Sequence, residues 1–136
     1  MAQEIVKTDP NEVPSLTLAF LGDSVFETAV RTVALEKHLG NVNEVNKYAK
    51  SFSNAVAQSK MSDLLQDVFT EKEIQIFKRG RNAKSVSAPH TCTIGEYRKA
   101  TGLEALFGYL YLQGSTDRIR ELITTGIEKL ESAEIE

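Results

Sequence analysis

The apolar residues of this chain recur at spacings of three and four from end to end, and nowhere do they alternate over a length useful to a strand. That period commits the chain to helices. Leu18, Leu21, Val25, Ala29 and Val33 mark a first helix, which should begin near Pro14–Ser15 with Ser15 as N-cap. It should run to Leu39 and stop at Gly40. Asn41–Asn43 can cap a second helix carrying Val45, Tyr48, Ala49, Phe52, Val56, Leu64 and Leu65, a segment so long that a break is expected within it. Thr70–Glu73, TEKE, has the form of a capping box and opens a short helix through Phe77. A loop at about Gly80–Cys92 follows. Thr93–Glu96, TIGE, is a second capping box, opening a helix to Gln113 with Gly114 past its end. Ser115 or Thr116 starts the last helix, to about Glu131. The expected fold class is all-α, one domain over residues 1–136 with its core at about 15–131, without repeats or linkers.

Two of these helices carry an energetic anomaly. Asp23 is the sole charge in Leu16–Phe26, LTLAFLGDSVF, and Glu104 the sole charge in Leu103–Leu112, LEALFGYLYL. An unpaired carboxylate in apolar surroundings costs free energy or takes up a proton. Each acid has a glycine close by, Gly22 and Gly108, which removes a side chain where a helix or a substrate backbone must approach. Two acids from separate helices can hold Mg²⁺, which takes one or two protein carboxylates and completes its shell with water and phosphate oxygens. The competing use is structural, an internal arginine partner or a helix cap. Capping does not explain Asp23, which falls in mid-helix.

The net charge of −3 conceals an asymmetry. Ile74–Gly95 holds no acid but carries Lys78, Arg79, Arg81 and Lys84, so these four cations leave −7 on the remainder. An acidic body with one basic segment points to a localised contact with a polyanion rather than general coating. Within KRGRNAKS, residues 78–85, Gly80, Asn82 and Ser85 add donors suited to phosphate oxygens. The ordinary alternative is a solvated loop. The single cysteine, Cys92, excludes an intramolecular disulfide and fits a reducing compartment. The N-terminal segment has neither the basic start nor the apolar core of a signal peptide, and no apolar run approaches the roughly 18 residues of a membrane span. A cytoplasmic protein that does not enter membranes is expected.

Leu18–Glu27, LAFLGDSVFE, resembles the ribonuclease III signature, usually EFLGDAVLE, and Thr101–Leu112, TGLEALFGYLYL, is similar to that family's second motif, DxxEALIGAxYL. With KRGRNAKS between them, the short length and the end at Glu136, the chain resembles one branch of the family, the Mini-ribonuclease III group. The likeness covers roughly Leu16 to Gln113.

That resemblance implies a ribonuclease III endonuclease-domain fold, a homodimer, and no double-stranded-RNA-binding domain. It implies that Asp23 and Glu104 are catalytic metal ligands for Mg²⁺ and that Phe20 plugs into the partner subunit. Two acids usual in the family are missing, since Ala19 and Thr101 stand at their positions; the same reduction occurs in the branch. The implied activity is hydrolysis of double-stranded RNA to 5′-phosphate and 3′-hydroxyl ends, each subunit cutting one strand. The implied substrate is the 23S ribosomal RNA precursor, trimmed at both ends, with a ribosomal protein as a further candidate partner. Lys78, Arg79, Arg81, Asn82, Lys84 and Ser85, helped by Arg98 and Lys99, are the candidate RNA contacts. The alternative function is a non-catalytic helical dimer that binds structured RNA.

Other conspicuous residues have plainer roles. Glu27, one turn after Asp23, suits a salt bridge better than an outer-shell metal role. Glu96 is explained by its capping box, and His38 by a helix C-terminus. His90 and Cys92 have no ligand-spaced partner for zinc. Phe107, Tyr109 and Tyr111 follow core or interface spacing, whereas Tyr97, beside Arg98 and Lys99, could face RNA.

Overall fold

The computed structural model describes residues 7–37, 39–84 and 88–135; His38 and Ser85 lie outside them. Among the described residues there are six α-helices and no strand: α1 Ser15–Glu36, α2 Val42–Lys50, α3 Ala55–Leu64, α4 Glu71–Asn82, α5 Ile94–Leu112 and α6 Thr116–Ile135. The all-α expectation holds.

The architecture is organised around α5, which is apolar on nearly every side, and a helix of that kind must be enclosed. Leu103, Ala105, Leu106 and Phe107 are wholly buried. Helices α1, α3 and α4 pack directly on it, and α6 closes over α1 and α3. The Phe26 ring of α1 meets Phe107 edge-on at 5.2 Å between centroids, a favoured aromatic geometry. Helix α6 is amphipathic and buries Ile119, Leu122, Ile123, Ile127 and Leu130. Its Arg118 pairs with the buried Glu73 of α4 at 2.8 Å and donates to the Val68 carbonyl at 2.9 Å, tying two distant segments.

Both capping boxes form as their sequences require. Thr70 and Glu73 exchange bonds of 2.9 and 3.2 Å, and Thr93 and Glu96 bonds of 2.9 and 3.0 Å. The long second segment breaks at 51–54, where Asn54 accepts from the Ala57 amide and starts α3.

Three helices differ from the expectation in their boundaries. Helix α1 has Pro14 rather than Ser15 at its N-cap and ends at Glu36, with Gly40 (φ +94°) serving the following turn instead of the helix end. Helix α6 continues past Glu131 to Ile135. The third change is functional. Helix α4 does not end at Phe77 but runs to Asn82, so Lys78–Asn82 are helical and the expected loop begins later. Gly80, read as part of a loop and as a backbone donor, is buried in the α4–α5 crossing. A Cβ on it would lie 2.8 Å from the Ala105 Cβ and 2.9 Å from the Gly102 Cα. Its glycine is there for close packing and does not break the helix.

Candidate active site

The site begins at the crossing of α1 and α5. A Cβ on Gly22 would fall 1.6 Å from the Glu104 carbonyl oxygen, and one on Gly108 would fall 2.1 Å from the Leu18 carbonyl oxygen. Only glycine at both places lets the two backbones touch. The side chains next to that contact, Asp23 and Glu104, are thereby brought face to face.

Both acids line one cleft of about 340 Å³ with Leu16, Ala19, Phe20, Tyr97 and Thr101. Tyr97, Thr101 and Glu104 lie three and four apart on one face of α5, as do Ala19 and Asp23 on α1. Ala19 and Thr101, where the resemblance leads one to expect two further acids, therefore open on the same space as Asp23 and Glu104. Thr101 turns its hydroxyl back to the Tyr97 carbonyl at 2.9 Å, so it offers the cleft little. Phe20, 82% exposed, stands at the rim beside the partly exposed Leu16.

The electrostatics of the pair are unusual. The Glu104 carboxyl is pushed up to about 8, first by burial and then by the hydrogen bond and negative charge of Asp23. A hydrogen bond from the Gln58 side chain acts in the opposite direction. Two adjoining carboxylates cannot both stay ionised without a compensating positive charge. Either a proton or a cation must sit with them, and the donor set consists of hard oxygens.

Among the described residues no group of three or more His, Cys, Asp or Glu is placed to hold a metal. Two carboxylates with open cleft space match the sparse protein coordination that Mg²⁺ accepts, so the residues fit that ion. A larger groove of about 550 Å³ between α1 and α6 carries no acid, and its one charged lining residue, Arg120, is held by Glu36 at 2.7 Å.

Glu27 pairs with Arg31 at 3.6 Å, as its plain reading expects, although its Oε2 is buried without a hydrogen-bond partner. Glu96 caps α5, and Phe107 and Tyr109 are core residues.

The candidate RNA contacts are distributed around the end of α4 and the start of α5. Lys78, Arg79, Asn82 and Lys84 are exposed. Arg81 lies over the Phe77 ring at 5.9 Å and donates to Asn82 Oδ1 at 3.1 Å. Buried Gly80 packs against the Thr101 backbone of α5, and none of these basic residues lines the cleft that holds the acid pair. Arg98 is exposed, whereas Lys99 is engaged by Asp63 at 2.9 Å. Sequence reading missed Gln58 entirely. A glutamine in a helix has no local sign of burial, and its contact with Glu104 spans two elements.

The ribonuclease III domain family matches residues 16–115. The chain belongs to the ribonuclease III family and is an endoribonuclease, of a family that acts on double-stranded RNA as dimers. Its relatives narrow the placement. Mini-ribonuclease 3 of Brevibacillus brevis is 42% identical over 90% of this chain and 92% of that protein. The Symbiobacterium thermophilum Mini-ribonuclease 3 is 39% identical over 90% and 95%. A Fusobacterium nucleatum protein of known crystal structure has a TM-score of 0.77 at 35% identity, covering 90% of this chain and 98% of that one. Within the family, the chain falls in the Mini-ribonuclease 3 branch. No helix among the described residues is long and apolar enough to cross a membrane.

Proposed function

We propose that this protein is a Mg²⁺-dependent nuclease for double-stranded RNA that matures the 5′ and 3′ ends of the 23S ribosomal RNA precursor. The observation that carries the reading is the apposition of Asp23 and Glu104 in one cleft, with the Glu104 carboxyl pushed up to about 8 by burial and its neighbour. Such a pair binds a cation in exchange for a proton.

Asp23 and Glu104 would hold the ion. When bound, Mg²⁺ supplies an acidified water and charge neutralisation at the phosphoryl oxygens. Glu104 must first release its proton, which the hydrogen bond from Gln58 favours. Lys78, Arg79, Arg81, Lys84 and Arg98, with Asn82 and Ser85, would grip phosphates along the A-form backbone, whose recognition depends on shape and not on base edges. Lys99 can join them only by giving up Asp63. Phe20, exposed at the rim, would plug into a second copy, and the symmetric dimer would cut both strands, leaving 5′-phosphate and 3′-hydroxyl ends. A ribosomal protein is a further candidate partner.

The test is direct. Purified protein with Mg²⁺ should cleave a perfect RNA duplex, while Asp23→Asn and Glu104→Gln should bind that duplex and lose more than about 10²-fold in rate. A duplex left intact by the unaltered protein would overturn the proposal.

A further inference from the structure

The cleft that holds the acid pair is poor in hydrogen-bond donors. Leu16, Ala19 and Phe20 bring no polar side-chain atom to it, and the basic residues of α4 do not line it. Ionised Asp23 and Glu104 can only accept. The one proton of the Thr101 hydroxyl is committed to the Tyr97 carbonyl at 2.9 Å. The lining residue that remains is Tyr97, whose phenol carries an O–H donor.

Two of the chain's four tyrosine hydroxyls are used internally. Tyr48 donates to Glu131 Oε2 at 3.0 Å, and Tyr109 donates to Asn11 Oδ1 at 2.9 Å. Among the described residues the Tyr97 hydroxyl has no such partner, and neither has that of Tyr111, which lines the separate groove between α1 and α6. Tyr97 is half-buried, and a phenol in that setting ordinarily finds a partner. Its hydroxyl is free for a ligand in the cleft.

The surroundings define that ligand. An RNA strand entering the cleft presents phosphate oxygens, which accept, to two carboxylates that repel them. A cation between the acids answers this at the reacting phosphate, but the flanking phosphates need a donor from the protein. Tyr97 and Glu104 are seven residues apart on one stripe of α5, an offset of about 10 Å along the helix axis. That offset puts the phenol beside a flanking phosphate and away from the reacting one. Arg98, the next residue, is exposed and adds positive charge at the same end of α5.

We infer that Tyr97 is a substrate-contacting residue whose phenol O–H donates to a non-bridging oxygen of an RNA phosphate flanking the scissile bond, holding the strand over the acid pair. A neutral donor suits this place, because a lysine or arginine there would pair with the carboxylates themselves. The inference rests on the reading that the acid pair is the cutting site for duplex RNA.

Tyr97→Phe tests it, because phenylalanine keeps the ring and removes the hydroxyl. With Mg²⁺ present, kcat and KM on an RNA duplex are measured at several salt concentrations for the unaltered protein, Tyr97→Phe, Tyr97→Leu and Asp23→Asn. Thermal unfolding and sedimentation of each accompany them. The expected result is a KM raised about 10-fold or more in Tyr97→Phe with kcat unchanged. The melting temperature and the dimer should not move, since the hydroxyl has no internal partner. The slope of log kcat/KM against log salt should also stay, because a neutral donor releases no counterions.

An unaltered KM in Tyr97→Phe, while Asp23→Asn has lost cleavage, overturns the contact and leaves the nuclease standing. Full activity in Tyr97→Phe with a loss only in Tyr97→Leu assigns the role to the ring and overturns it likewise. A lower melting temperature or a weaker dimer in Tyr97→Phe reveals a protein partner for the hydroxyl, with the same consequence. Undiminished cleavage by Asp23→Asn, or a duplex left intact by the unaltered protein, overturns the nuclease reading and this inference together.

Discussion

Gly22 of α1 lies against the carbonyl of Glu104 on α5 so closely that a Cβ on the glycine would sit 1.6 Å from that oxygen. The obstacle is backbone, so no side-chain rotation relieves it. One contact thus joins packing to chemistry, since the residue after the glycine and the residue whose carbonyl it touches are the two acids of the cleft.

Gly22→Ala should accordingly destabilise the fold by about 3 kcal/mol or more, as overpacking against fixed backbone does, and should separate the carboxylates. Gly95 gives the internal comparison. It lies in the first turn of α5, and an added Cβ there meets nothing closer than 3.9 Å. Gly95→Ala should stabilise by about 0.4–1 kcal/mol through the unfolded chain. Urea unfolding of both variants checks the pair; equal midpoints would mean that the α1–α5 contact is looser than described.

The Glu104 carboxyl predicts a pH dependence of defined sign. In the folded, metal-free chain it titrates near 8, against an ordinary value of 4.5. The folded state therefore holds a proton that the unfolded chain releases. The resulting stabilisation is fully present below pH 4.5 and is lost as the pH rises through about 8. Mg²⁺ must displace the same proton, so its apparent affinity should rise by up to about tenfold per pH unit until pH 8 and then level off. Thermal unfolding with and without Mg²⁺ between pH 6 and about 9 measures both trends, and Glu104→Gln should flatten them.

The basic turn of α4 yields a third expectation. Arg79→Ala combined with Arg81→Ala should weaken binding to a duplex and make the slope of log affinity against log salt shallower by about 1–2. The fold should tolerate the change, because Arg79 is exposed and Arg81 contributes only its stacking on Phe77 and its bond to Asn82. Electrophoretic mobility shifts at several salt concentrations suffice. An unchanged slope would move the RNA path away from this turn.

Local signals were read well because their physics is local. Thr70 and Thr93 start their helices with bonds that close within four residues, and the sequence pattern carries all the partners. Asp23 and Glu104 were conspicuous because each is the one charge in an apolar stretch. Gly80 was misread since a glycine that breaks a helix and a glycine that admits a neighbouring helix look alike in sequence. What distinguishes them is the opposing surface, here Gly102 and Ala105 of α5. Lys99 likewise reads as a free cation until Asp63, on another helix, is found 2.9 Å away.

The sequence by itself determined that the chain is helical, where most helices begin, which two acids stand apart and which segment is basic. All of these follow from period, caps and charge along the chain. Only the tertiary structure decided that the two acids share a cleft, that Ala19 and Thr101 open on it, that Gln58 is buried, and that the basic turn of α4 is helical. Those relationships depend on how closely helices approach, which is set by backbone contacts at Gly22, Gly80 and Gly108 between residues far apart in sequence.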